Sequence, residues 1–306
     1  MGNVCCNSGL QNYGRGQCVT QIDRVVSLVI VPEFDSSNAY NQIILATAFD
    51  ATTLTGLVTN ADATKRWVKM PRFYGVSTPI ADTVFDESTD GTKSFVREGI
   101  WSFAGETRDK DAIAGILKKM KALRCSNFSA YLVTASNQLV GQIVGNGIMR
   151  PLKINGGSLD PKMNLRDDST TNKIMFGFDF DNLVKQENLY VLDGTDLSVD
   201  FLNTRQLTDV SITKTDLTAT TIEVDLKTSF VQGLTPNNDV IGLLAAAFKL
   251  ENLTASTTVT ITTVVEDVNI DGRYLITFPA QTTTDRMKLS MVLASYYNGS
   301  YEFDAL

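Results

Sequence analysis

Two short stretches carry side-chain oxygens at alternate positions, as the start of a calcium-binding loop does. They are DESTDG at 86–91 and DVNIDG at 267–272. An EF-hand loop completes its coordination with a bidentate glutamate at position twelve. Counted from each first aspartate, the twelfth residues are Arg97 and Phe278, and neither ligates a cation. Both stretches are therefore predicted to be turns with Asp-Gly at a hairpin tip, and no metal site is expected.

A second candidate for chemistry is the carboxylate pair Asp179 and Asp181 in KIMFGFDFD, residues 173–181. Paired carboxylates serve general acid–base and glycosidase chemistry, so a carboxylate-dependent enzyme is one hypothesis. The phenylalanines of this segment alternate with the aspartates, which places the two sets on opposite faces of a strand. The favoured interpretation is a solvated strand face.

The chain contains no histidine. This removes Ser-His-Asp and Cys-His nucleophile systems and every histidine-containing zinc site. Neither of the glycine-containing turns at 144–147 and 155–159 is followed by the Gly-Lys-Ser/Thr of a phosphate loop. No catalytic, cofactor-binding or metal-ligating residue is predicted, and no cofactor is expected.

One segment combines basic and aromatic residues, TKRWVKMPRFYG at 64–75. It is the only stretch that resembles a nucleic-acid contact. Its alternative is a polar strand or one side of a subunit interface, which the net charge of −7 favours because nucleic-acid binding depends on clustered cations. Trp67 and Trp101 are predicted to be core or interface anchors.

The elements that must position these residues are mostly strands. Residues 1–20 are rich in Gly, Asn, Gln and Cys and are predicted to form an N-terminal arm. The clearest helix is predicted at about 109–123, from apolar residues at helical spacing and lysines near its end. The segment 238–250 is compatible with a helix or with two short strands. A hairpin is predicted around Ser136-Asn137.

The last third of the chain changes in character. Short alternating strands rich in Thr and Val follow one another with turns between them. This pattern is typical of a β-sandwich. The predicted domains are a β domain at 21–204 and an immunoglobulin-like sandwich at 205–306, and the fold class is mainly β.

The first Asp-Gly turn lies in a long hairpin with a mixed-charge tip. An exposed hairpin leaves unpaired strand edges, and pairing with a neighbouring subunit is one way to cover them. We therefore predict a subunit interface, with Trp67 and Trp101 as aromatic contacts. The predicted hairpin residues are Phe85, Asp86, Glu87, Asp90, Gly91, Lys93, Phe95 and Arg97.

The order of PRFYG, the long hairpin, DAIAGILKKMKAL, AYLVTASNQLVGQI, PLKINGG and KIMFGFDFD resembles the major tail tube protein of tailed bacteriophages of Bacteroidota-type hosts. The resemblance covers roughly residues 65–190. It implies a tail-tube-type β-sandwich or barrel flanked by one helix. It also implies hexameric rings stacked into a tube with a lumen for DNA. Such proteins commonly carry a C-terminal immunoglobulin-like domain, a role that 205–306 would fill.

The expected function is a virion structural protein that assembles into the tail tube. Its expected partners are further copies of itself, other tail proteins, and phage DNA that passes through the lumen without specific binding. No apolar run is long enough to span a bilayer, so no membrane partner is expected. The expected location is the virion tail, and the host cytoplasm during assembly. A head–tail connector or capsid-associated ring protein, or a surface- or glycan-binding module, remains an alternative.

Overall fold

The computed structural model describes residues 21–108, 114–124, 126–145, 147–228 and 239–306, and the backbone of residues 4–5 and 18–19. The predicted N-terminal arm at 1–20 therefore lies outside the described residues, apart from those two short strand segments. The chain divides into two compact units, Met1–Thr204 and Arg205–Leu306. Each unit has hydrophobic core clusters of its own. The architecture is mainly β, which confirms the predicted class.

Unit 1 contains two helices, α1 (Ala51–Val58) and α2 (Ala114–Ala122). Its strands, in chain order, are β1 (Val4–Cys5), β2 (Cys18–Val19), β3 (Val25–Pro32), β4 (Ile43–Ile44), β5 (Val68–Lys69), β6 (Tyr74–Ser77), β7 (Val84–Glu87), β8 (Lys93–Arg97), β9 (Ser102–Arg108), β10 (Phe128–Thr134), β11 (Gln138–Ile143), β12 (Ile148–Arg150), β13 (Leu152–Lys153), β14 (Lys162–Asn164), β15 (Lys173–Asp179) and β16 (Leu189–Asp193).

Three of the sheets in unit 1 matter for the site. The largest has eight strands along the path β4-β12-β11-β10-β3-β5, with β13 beside β10 and β16 beside β11. A second sheet has four strands in the order β14-β15-β9-β6, and β7 and β8 form a two-stranded sheet of their own. The predicted hairpin at Ser136-Asn137 is confirmed, because β10 and β11 pair antiparallel around it.

The central strand β3 is an unbroken apolar run because both of its faces are covered. Leu28 and Ile30 enter the core between the eight-stranded and four-stranded sheets, where they join the phenylalanines of β15. Val29 and Val31 point to the opposite face of the sheet and pack in a second core with α1. Unit 1 is thus built in layers on the two faces of one sheet.

The prediction of a single flanking helix was wrong, because α1 is present as well. Its N-cap is Asp50, whose carboxylate accepts a hydrogen bond from the Thr53 backbone N–H at 2.7 Å. The helix α1 has only eight residues and is rich in threonine, so its helical spacing of apolar residues extends over too short a stretch to be recognised in the sequence. The helix predicted at 109–123 corresponds to α2, and its first residues, 109–113, lie outside the described residues.

Unit 2 is a two-sheet sandwich. Its strands are β17 (Thr208–Leu217), β18 (Thr221–Thr228), β19 (Phe248–Asn252), β20 (Thr257–Val259), β21 (Thr263–Glu266), β22 (Arg273–Thr277), β23 (Arg286–Met291), β24 (Tyr297–Asn298) and β25 (Ser300–Asp304). One sheet has the order β21-β22-β18-β17-β24 and the other β20-β19-β23-β25. The first four strands of one sheet follow the D-E-B-A order, and the other follows C′-C-F-G, which is the immunoglobulin-like arrangement.

Candidate subunit interface

The hairpin β7–β8 is joined by a longer and less symmetric turn than the sequence predicts. The Gly91 N–H donates to the Ser88 carbonyl at 2.9 Å, and the Ser88 N–H donates to the Thr92 carbonyl at 2.9 Å. Gly91 has a φ of 84°, the left-handed region that favours glycine. The two-residue Asp-Gly turn is therefore replaced by a longer loop that ends in a left-handed glycine. Asp90 accepts a hydrogen bond from the Thr92 N–H at 2.9 Å, which lowers the pKa of its carboxyl.

Every residue of β7 and β8 is exposed. Phe85 and Phe95 are cross-strand partners whose rings meet edge to face at 6.3 Å between centroids, although they remain 52% and 61% exposed. Glu87 and Lys93 lie two positions from the phenylalanines on their strands and therefore on the same face of the hairpin as the two rings. They form an ion pair of 3.6 Å. One face of the hairpin therefore carries an aromatic pair with an ion pair beside it, and the described part of the chain leaves this aromatic face open to solvent.

The sheet β7–β8 pairs with no other strand in the described part of the chain. Its outer edges present unpaired backbone donors and acceptors, which are a template for strand addition. An isolated two-stranded hairpin is marginally stable in water. Both its edges and its aromatic face would be stabilised by contact with another surface.

The hairpin is fixed to the body at its root. Ile80 and Trp101 form an isolated bridge, and the Ala81 N–H donates to the Ile100 carbonyl at 2.9 Å. A Cβ atom built on Gly99 would lie 1.6 Å from the Ala81 carbonyl oxygen, so only glycine fits at this crossing. A cleft of about 420 Å³ opens beside the root and is lined by hairpin residues and by segment 180–187. The root therefore sets the direction in which the hairpin leaves the body.

The two tryptophans lie inside unit 1. Trp67 is 3% exposed, and its ring centroid is 5.0 Å from that of Tyr131. Trp101 is 9% exposed and packs against Phe180 at 4.5 Å between centroids. The Trp101 indole N–H is buried without an acceptor among the described residues. Both side chains are core anchors of this chain and leave little surface for a subunit contact.

The basic segment 64–75 does not form a free cationic stripe. Lys65 pairs with Asp35 at 3.5 Å, and the Arg66 guanidinium donates to a backbone carbonyl at 2.8 Å. The Lys69 ammonium donates to a backbone carbonyl of the same unit, and burial lowers its pKa. Three cations of the segment are thus engaged within their own chain.

The carboxylate candidates are also engaged locally. Asp179 accepts a hydrogen bond from the Ser102 hydroxyl at 2.6 Å, whereas Asp181 accepts one from the Leu183 N–H at 2.9 Å and so closes a turn. The calcium-like stretch 267–272 is the turn between β21 and β22. Among the described residues, no three side chains of the metal-ligating types lie close enough together to hold an ion.

Three residues of the hairpin region were not predicted from the sequence to belong to the site. Ile80 and Val96 are 51% and 55% exposed, and they extend the apolar surface beyond the two phenylalanines. Gly99 is required at the root. The only sequence signal for it is a glycine directly after a β-prone run, which also fits an ordinary turn.

A comparison of the chain with models of known protein families and with curated proteins finds no match. Among the helices that the structure describes, none is long and apolar enough to span a membrane.

Proposed function

We propose that this protein is a self-assembling structural protein, and that it forms the stacked, hexameric rings of a phage tail tube. The observation that carries the proposal is the hairpin β7–β8, whose aromatic face and strand edges are left uncovered by the part of the chain that the structure describes. Its partners are further copies of the chain and other tail proteins, and it resides in the virion tail after assembly in the host cytoplasm. The specific assembly rests on the resemblance of residues 65–190.

The exposed surface supports a binding role for the hairpin. Scattered exposed apolar side chains are normal on a protein surface, whereas a contiguous group marks a contact site. Ile80, Phe85, Phe95 and Val96 all lie within one hairpin and its root. In the proposed tube, phage DNA passes without specific binding, which the acidic net charge of −7 favours because negative walls repel phosphate.

The proposal assigns no catalysis to the chain. A head–tail connector or another ring of the same virion would use the same hairpin, and single rings rather than stacked tubes would distinguish it. A surface- or glycan-binding module would instead use the immunoglobulin-like unit 2, independently of the hairpin.

The test compares the full chain with the double variant Phe85→Ser and Phe95→Ser. Electron microscopy and sedimentation velocity are run across a range of protein concentrations. We expect rings or tubes for the parent chain and monomers for the variant, because the variant loses the aromatic face and keeps the charged tip. Rings without stacking would point to the connector.

The matched control is the double variant Leu165→Ser and Val268→Ser, which removes two side chains that are 73% and 94% exposed outside the hairpin. It is expected to assemble like the parent. Assembly of the hairpin variant at the parent concentration would refute the proposal, and so would a parent chain that stays monomeric throughout the range.

A further inference from the structure

The outer face of the four-stranded sheet carries a shallow hollow of about 520 Å³. Its floor is made of small residues, because Gly177 of β15 lies directly opposite Ala104 of β9, and Gly75 of β6 borders it. Met175 and Glu106 form the next cross-strand pair and wall the hollow on one side. No hairpin residue of the same chain lines it.

The glycine in the floor is not required by the fold of its own chain. Gly177 has no left-handed φ, and a Cβ atom built on it would meet its nearest neighbour, the Phe103 carbonyl oxygen, at an ordinary 3.4 Å. A glycine inside a strand costs about 0.5–1 kcal/mol relative to alanine. Glycine within a strand often marks a place where another surface approaches closely. This position therefore points to an outside contact.

The charges around the hollow complement those of the hairpin. Glu106 is flanked by Arg108 and by Lys173 at 3.3 Å, and Asp160 by Lys162 and by Arg124 at 3.2 Å. Glu106, Asp160 and Lys162 line the hollow, and the other three cations lie beside it as partners of the two carboxylates. The two ion-pair clusters together contain four cations and two carboxylates. The hairpin from 84 to 97 shows the reverse balance, with three carboxylates and two cations.

We propose that the hairpin β7–β8 of one copy lies with its Phe85 and Phe95 face on the Ala104–Gly177 hollow of a second copy. This inference rests on the proposed self-assembly and names the surface that receives the hairpin. The projecting element and the receiving surface are different parts of the chain, so the contact is head to tail. Such a contact closes into a ring or continues as a filament.

Two half-variants test the contact. The first, Phe85→Ser with Phe95→Ser, removes the aromatic face and keeps the hollow. The second, Ala104→Gln with Gly177→Gln, fills the hollow with uncharged polar side chains and keeps the hairpin. Each variant is expected to be monomeric alone. Mixed in equal amounts they are expected to form a dimer that does not grow, because one intact hairpin meets one intact hollow.

Sedimentation velocity of the full-length chains, with electron microscopy of the parent, gives distinguishable outcomes. A hollow-filled variant that assembles like the parent would overturn this inference and leave the proposed function standing. So would a mixture that shows no dimer although the parent assembles and both variants alone are monomeric. A parent chain that never assembles would overturn the proposed function, and this inference with it.

A second pair of variants guards against misfolding of the filled sheet. Lys162→Glu changes an exposed rim charge and is expected to weaken assembly of the parent. Glu87→Lys, introduced into the same chain, is expected to restore it in part, since Glu87 lies on the same face as Phe85 and the change returns the opposite sign to that face. Failure of Lys162→Glu to change assembly at low salt would contradict the docking on this face.

Discussion

The substitution Gly99→Ala tests whether the hairpin root sets the direction of the proposed contact. The Ala81 carbonyl oxygen lies 1.6 Å from the Cβ position of residue 99, and real Cβ atoms essentially never approach closer than 3.0 Å, so the two segments must separate by about 1.4 Å. The Ala81 atom in this contact belongs to the backbone, so no flexible side chain can move to relieve the clash.

The cost follows from the hydrogen bonds that cross the root. A separation of this size breaks the bond from the Ala81 N–H to the Ile100 carbonyl and the one from the Ser102 N–H to the Pro79 carbonyl, each 2.9 Å long. A backbone hydrogen bond contributes about 0.5–1.5 kcal/mol net. The loss of both is therefore expected to lower the free energy of unfolding of unit 1 by about 1–3 kcal/mol.

Urea unfolding followed by tryptophan fluorescence measures this change in unit 1 alone. The protein has two tryptophans, Trp67 and Trp101, and both lie in unit 1. Two other glycines serve as comparators. A Cβ atom added at Gly56 of α1 would meet open space, and φ at this residue is not left-handed. Gly56→Ala is therefore expected to stabilise unit 1 by about 0.5–1 kcal/mol. Gly91→Ala also has open space, but its φ of 84° makes it destabilising.

Assembly gives the second readout. Gly99→Ala is expected to reduce assembly more than Gly91→Ala does, because a change at the root redirects the whole hairpin and a change at the tip leaves the aromatic face in place. Stability within about 0.5 kcal/mol of the parent together with unchanged assembly would refute the reasoning.

Three further predictions concern stability. Asp50→Ala is expected to destabilise α1, whereas Asp50→Asn retains the cap. The hydrogen bond from the Thr53 N–H lowers the pKa of Asp50. The contribution of the charged cap to stability is therefore present above about pH 4 and is lost as the pH falls through the folded pKa. Acid unfolding of the parent and of the Asp50→Asn variant will show this difference. Tyr131→Phe removes a hydroxyl that donates to the Met149 carbonyl at 3.2 Å, and urea unfolding is expected to show a loss of about 1 kcal/mol, against about 3–5 kcal/mol for Tyr131→Ala. Burial raises the pKa of Tyr274 to about 12, so unit 2 is expected to lose stability as the pH rises from about 10 to 12, and Tyr274→Phe is expected to reduce this loss in alkaline unfolding.

The strands could be predicted wherever one face is buried and alternation is clear. In β15, Ile174, Phe176 and Phe178 are buried while the residues between them are not. The segment 238–250 left helix and strand open, because its apolar residues are continuous and fit both periods. Its end forms the strand β19, in which Phe248 and Leu250 enter the sandwich core and pair with β23. Tertiary contacts decided a choice that the local pattern did not.

The hairpin could be found from its Asp-Gly turn, but its root could not. Gly99 is needed because Ala81, eighteen residues earlier, crosses it closely, and no local pattern reports such a crossing. The hollow is equally invisible in the sequence. Gly177 and Ala104 become neighbours only through the register of β15 and β9.

Gly99 and Gly177 allow the two halves of the proposed contact to be separated experimentally. A glycine is sterically required at position 99 within its own chain, so its replacement must disturb both folding and assembly. No such requirement exists at position 177. A larger residue at 177 is therefore expected to leave the stability of unit 1 unchanged or raised, since glycine is unfavourable within a strand. If Gly177→Gln preserves stability and abolishes assembly, the glycine is explained by a surface outside the chain. If it preserves both, the hollow has no role in assembly, and the hairpin must meet its partner elsewhere.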